Sequence, residues 1–449
     1  LKPAHAEFST GFVHWGLLLA LSAGFGLAAL LAGQLAFDLS LGYWWPVLVQ
    51  VHGHAQVFGW LGLFIMGVSL YFVPRFAGAP LRFAALAPWS ASLLGGGIAL
   101  RAGALGALHA GYGPWRWGLG LATLAECLAV FLYAFLLLSA LRGADPRHRA
   151  IRPLRPYFLS ALAGWALSIL VVNFPALKAF YLGTGVLDPA WGRLGLDLFA
   201  GMVLLPVAFA FSIRTFPLYL RLPAVRWNVQ GLAQLYLLAL GLEMIPRALE
   251  LGMGMAIPRV HGLGQLLKGG AVLAFIWKID LLTRRQPPWI IERQEEPPPK
   301  PRFHPKPRPG LPDYGEFGHF EWLVYAAYAW LAVGAALEVY SGAGALLGQW
   351  RPFAEDGLRH AYLAGFGSLL LLGMAPRLIP GFRHQRGPAF PWLVDLTFWL
   401  ASGSALLRLL HFFVPEMLWT GALPWLFGIS GLLGWLAVAA LAINLWWSR

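Results

Sequence analysis

Short polar loops cut this chain into a succession of apolar runs, each near the ~20 residues an α-helix needs to cross ~30 Å of hydrocarbon. Twelve runs are read, at 12–35, 46–73, 83–105, 116–141, 157–174, 190–213, 230–249, 258–282, 321–342, 358–380, 390–412 and 423–446. The expectation is an all-α polytopic membrane protein with about twelve transmembrane helices. Composition agrees. The chain is 58% hydrophobic and 12% charged, where a soluble domain is about 25% charged.

The formal net charge of +13 would suggest nucleic acid in a soluble protein. Here the basic residues follow a membrane pattern instead. Arg75 and Arg82 follow the second run. Arg142, Arg147, Arg149, Arg152 and Arg155 follow the fourth, and Arg214, Arg221 and Arg226 the sixth. Arg284, Arg285, Arg293, Lys300 and Arg302 follow the eighth, and Arg383 and Arg386 the tenth. Lys and Arg are retained on the cytoplasmic side, so these loops and both termini are expected there, and no nucleic-acid partner is expected. The first run is full length and lacks a small-residue cleavage pattern, so a cleaved signal peptide is not expected. Cys127 is the one cysteine, which excludes an internal disulfide, a cysteine-rich metal site and a Cys-x-x-Cys-His haem attachment. Residues 284–320 are proline-rich and charged and cannot build a core. They read as a cytoplasmic linker between eight helices in 1–283 and four in 321–449, within one membrane domain.

Chemistry concentrates in VQVHGHAQVFGWLGLFIMGVSLYFVPRF, Val49 to Phe76. An imidazole held in hydrocarbon is costly and marks a functional candidate, and it is a good ligand for iron and copper. His52 and His54 are two residues apart, about 200° around a helix, so they point to nearly opposite sides. They suit two cofactors flanking the helix, or one ligand and one orienting group. Gln56 lies one turn from His52. Packing histidines joined across helices is the plainer alternative. The orientation above brings His52, His54, His261, His360 and His411 toward the outer face from four helices, a convergence that fits a haem or metal site. His5, His14, His109, His148, His304, His319 and His384 fall at span ends or in loops and read as solvated or structural. Glu126, Glu243 and Glu338 lie within spans, with Arg247 one turn after Glu243 and Arg408 three residues before His411. Such groups pair with each other, or meet a propionate, a proton or an ion. A Glu243–Arg247 pair is one expectation.

HGHAQVFGWLGLFIMGVSLYFVPRFAG resembles the histidine-bearing segment of the NnrS family, approximately HAHEMLFG followed by an apolar run and VPNWTG. Arg214-Thr215-Phe216-Pro217, Arg359-His360 and the stretch Gly373-Met374-Ala375-Pro376-Arg377 through Gly381 and His384 resemble three further family motifs. Ala55 stands where the family has glutamate, and Arg75 where it has asparagine. The resemblance implies a twelve-helix bacterial inner-membrane protein carrying haem and copper and tied to nitric oxide tolerance. It adds Arg377 to the candidate cofactor-binding residues His52, His54, Gln56, His261, His360 and Arg408. A wider similarity runs to the haem–copper oxidase superfamily, in which histidines two apart on one helix serve two haems. It implies a haem–copper-oxidase-like bundle. The chain lacks that superfamily's adjacent His-His pair and its His-Pro-Glu-Val-Tyr-type segment, so a conventional oxygen reductase is not expected.

The expected cofactors are one or two b-type haems and copper. The expected haem ligands are His52 or His54 opposite His360 or His261, with His261 and His411 toward copper. Three classes of function fit. One is a haem protein that binds nitric oxide in tolerance or denitrification-related metabolism. Another is a nitric oxide or oxygen reductase fed by a quinol or an external cytochrome. The third is a transporter or cofactor-handling protein.

Overall fold

The computed structural model describes residues 7–37, 39–144, 151–285, 308, 311, 313–349, 353–414 and 420–448. His5, His148, His304 and most of the 284–320 linker lie outside the described residues. The described chain is helical throughout, with no strand. Among the described residues, eleven helices are long and apolar enough to cross a membrane. They are α1 (Gly11–Gln34), α2 (Gly42–Ala77), α3 (Ala84–His109), α4 (Gly113–Arg142), α5 (Arg152–Leu182), α6 (Pro189–Tyr219), α7 (Val229–Met253), α9 (Phe320–Leu346), α10 (Glu355–Phe382), α11 (Pro391–Leu410) and α12 (Ala422–Trp446). The remaining long helix, α8 (Pro258–Ile279), packs between α7 and α9. It falls short in apolarity because it carries His261, Gln265 and Lys268, all buried. The protein is therefore an all-α, multi-pass membrane protein of eleven to twelve spans, as the apolar runs predict. Helices are the form that satisfies every backbone group within the segment when no water is present.

Three helices sit at the centre. The most apolar window of α2 is 83% buried, that of α10 72% and that of α6 67%, against 33% for α11 on the periphery. The central helices are every fourth span, and the others pack around them, with α12 returning against α1. Each central helix is interrupted by a π-helical segment: Ala55–Gly62 in α2, Ala200–Leu204 in α6 and Ala361–Ser368 in α10. A fourth interrupts α1 at Ala20–Gly24. The four touch in series, α1 to α2, α2 to α10 and α10 to α6. A π turn inserts a residue and rotates the helix beyond it, and such turns are frequent at functional sites. Side chains fill the space beside the glycines of α2: Leu19 lies against Gly59, Trp165 against Gly62 and Phe12 against Gly67.

Between α7 and α8 the helices meet almost backbone to backbone. A Cβ on Gly264 would lie 2.4 Å from the backbone nitrogen of Glu243, whereas one on Gly270 would meet nothing within 4 Å. Gly264→Val is expected to force the two helices apart and destabilise the protein by at least ~1–3 kcal/mol, the usual scale of overpacking. Gly270→Ala is expected to be silent. Thermal unfolding of the purified variants in detergent checks both.

Candidate functional site

The two histidines of α2 face different partners. His52 Nδ1 is 2.9 Å from the Gly24 carbonyl in the π segment of α1. A Cβ on Gly24 would lie 2.8 Å from Gln56 Oε1, so only glycine lets α1 approach His52 and Gln56 together. Gln56 shares the His52 side, as expected. His360, at the start of α10, holds its Nδ1 2.7 Å from the Asp356 carbonyl. A carbonyl only accepts, so each imidazole donates from Nδ1 and keeps a lone pair on Nε2. His52, His360 and Arg408 are electrostatic neighbours. The Arg408 guanidinium sits 4.3 Å from the Phe427 ring centroid. It makes no ion pair with a carboxylate among the described residues. Phe412 packs beside both His360, at 6.0 Å between ring centroids, and His411, at 5.2 Å.

His54 faces the opposite way, into a sealed polar network. Its Nε2 is 3.1 Å from Glu126 Oε1. Arg101 of α3 donates from Nη1 to Glu126 Oε2 at 3.3 Å and to Asn173 Oδ1 at 2.6 Å, and from Nη2 to the Val172 carbonyl at 3.0 Å. Asn173 of α5 donates to Glu126 Oε2 at 3.2 Å. None of the four side chains exceeds about a tenth exposure. Sequence reasoning picked out Glu126 and His54 but missed Arg101 and Asn173. An arginine in the middle of an apolar run was the available signal.

A third network ties α6 and α7 to the start of α10. Arg359 donates to Asp197 from Nε at 2.8 Å and from Nη2 at 3.0 Å, and to Glu355 at 2.8 Å. Arg247 donates to Asp197 at 2.7 Å and to Glu355 at 3.1 Å. Arg359 directly precedes His360, so this network holds the backbone that presents the imidazole. It also corrects the expected Glu243–Arg247 pair. Glu243 turns instead toward α8, where Lys268 Nζ lies 2.5 Å from its Oε2 and 2.7 Å from Glu338 Oε1 of α9. One turn along a helix sets two side chains near each other, but the nearest opposite charge lay on neighbouring helices.

The other expected site residues are dispersed. His261 holds Nδ1 3.0 Å from the Glu243 carbonyl and lines a small cavity of about 10 Å³ with Gln265, Ser341 and Glu355. His411 packs 5.5 Å from Phe427. Arg377 stacks on Phe317 at 4.0 Å and Tyr219 at 4.7 Å, toward the end of α10 remote from His360. Among the described residues no group of three or more His, Cys, Asp or Glu is assembled to hold a metal ion. His109 is not a loop residue. It closes α3, stacks on Tyr43 at 3.6 Å and places Nε2 2.7 Å from the Tyr43 carbonyl, locking α3 to α2. A larger cavity of about 120 Å³ lies between α2, α6 and α10, walled by side chains such as Phe64, Leu204, Phe211 and Met374, and no histidine lines it.

Neither the protein-family models nor the curated proteins gave a match to this chain.

The His54 network sets a stability test. Removing one partner of a buried ion pair strands the other charge. Arg101→Met is therefore expected to cost ~3–5 kcal/mol. Arg101→Met with Glu126→Gln, which leaves no bare charge, is expected to recover much of that. Unfolding midpoints of both variants in detergent give the comparison.

Proposed function

We propose that this chain is a membrane haem protein that binds a small diatomic ligand, and that His52 and His360 are the haem ligands. One observation carries the reading. His52 and His360 come from two central helices whose π segments touch, and each has Nδ1 tied to a backbone carbonyl and Nε2 left as the electron-pair donor. That is how proteins orient a metal-binding imidazole. The surroundings fit a porphyrin. Arg408 supplies a cation suited to a haem propionate, and Phe412 and Phe427 supply apolar flanks. Haem bound there would supply one-electron chemistry and a position for a diatomic ligand once one imidazole gives way. Gln56, beside His52, orients and tunes rather than ligates.

The ligand class, nitric oxide, and an NnrS-like, haem–copper-oxidase-like identity rest on the resemblance carried by Val49–Phe76 and the shorter motifs. Copper is left out of the reading, because His261 and His411 sit in different surroundings. The cation-rich loops support an orientation with the His52 end outside and both termini in the cytoplasm.

His52→Ala and His360→Ala should each lower the haem retained per protein by at least about tenfold, since even second-shell losses weaken metal sites on that scale. Gln56→Ala should keep the haem and shift its midpoint potential. His384→Ala, at an exposed position, should be silent. The readout is the Soret band and pyridine haemochrome of the purified variants, oxidised and reduced, with and without nitric oxide. A colourless wild type from haem-replete cells, or unchanged spectra in both histidine variants, refutes the assignment.

A further inference from the structure

The contact of Lys268 with Glu243 and Glu338 does not balance. One ammonium faces two carboxyl groups, at 2.5 Å and 2.7 Å, and all three residues are buried. With both carboxyls ionised the cluster holds one net negative charge inside the membrane, where an uncompensated charge is costly. Arg247, which also interacts with Glu243, is engaged by Asp197 and Glu355. The other titratable groups facing the cluster are Tyr236 of α7 and Tyr362 of α10, and His261 of α8, which meets the Glu243 backbone. Lys268 already fills the place between the oxygens that a metal cation would need. The missing positive charge is therefore a proton.

We propose that Glu338 is a proton-binding site, loaded at neutral pH and reached from the small cavity that Ser341, one turn along α9, lines. Glu338 is chosen over Glu243 on its neighbours. Glu243 lies closer to Lys268, and a second cation, Arg247, acts on it from one turn along α7. The charged neighbours of Glu338 are Lys268 and the like-charged Glu243. The route is also on the structure. Gln265 stands one turn before Lys268, and Ser341 one turn after Glu338, and both line a cavity of about 10 Å³, room for about one water, with His261 and Glu355. The Ser341 hydroxyl is buried, at 3% residue exposure, with no hydrogen-bond partner among the described residues, so it is placed to bind water in the cavity. Glu355 adjoins Asp356, whose side chain is 63% exposed, at the His360 end. Loading adds one proton to a Glu338 carboxylate oxygen. Unloading returns it to water and leaves Lys268 between two carboxylates. The inference does not depend on haem.

Infrared spectroscopy of the purified full chain tests it. The wild type at neutral pH should show a protonated-carboxyl C=O band that shifts in D₂O. Glu338→Gln should lose that band and keep the wild-type melting temperature, because a neutral amide replaces a neutral acid. Glu243→Gln should keep the band and melt lower, because it strips Lys268 of its counter-charge. Ser341→Leu should slow the hydrogen–deuterium shift of the band. Retention of the full band in Glu338→Gln, its loss in Glu243→Gln, or failure of Glu338→Gln to fold overturns the assignment. Loss of the wild-type band on adding sodium ion would mean that a metal cation, not a proton, balances the cluster.

Discussion

A charge in hydrocarbon has to be neutralised by something within a few ångströms, and this bundle is organised by that requirement. Lipid tails are as apolar as leucine side chains, so burial alone does little to choose one helix neighbour over another. The polar ties do choose. Glu126 binds α4 to α2, α3 and α5 through His54, Arg101 and Asn173. Asp197 and Glu355 bind α6 and α10 to α7 through Arg247, with Arg359 closing the same cluster. Lys268 binds α8 to α7 and α9. Each tie joins at least three helices, so a wrong neighbour would strand a buried charge as well as lose packing.

These ties also prepare the candidate site. His52 and His54 are close in sequence but serve different ends, because their side chains leave α2 on opposite sides. One is absorbed by a closed network and rigidifies the helix. The other keeps a free electron pair beside a second histidine. The same division appears at Arg359 and His360, where adjacent residues supply an anchor and a presented imidazole. The π segments beside both pairs shift the register just beyond them. The central helices can thereby pack tightly on one stretch while the histidines keep their own facing.

Much of the fold is readable from the chain. Runs of about twenty apolar residues allow one regular structure in a bilayer, so the long helices and their order were available in advance. The opposed facing of His52 and His54 was also available, because it follows from helical rotation alone. The alternation of helices led to the expectation that His52, His261 and His360 lie toward one face.

What the sequence by itself determined is therefore what depends on distance along one helix: span number, span order, the end at which a residue lies and the side on which it leaves. Pairing between helices depends on distances that no local pattern encodes. Arg247 stands one turn from Glu243 yet binds Asp197 and Glu355, because helix contacts brought those carboxylates nearer. Arg101 and Asn173 acquired their meaning only when α3 and α5 closed on Glu126. His261 and His411 share an end with His52 but entered different surroundings, since depth leaves the azimuth of each helix in the bundle free. Only the tertiary structure decided these, because it sets the rotation and neighbour of every helix, and a buried charge takes the partner that this geometry puts within reach.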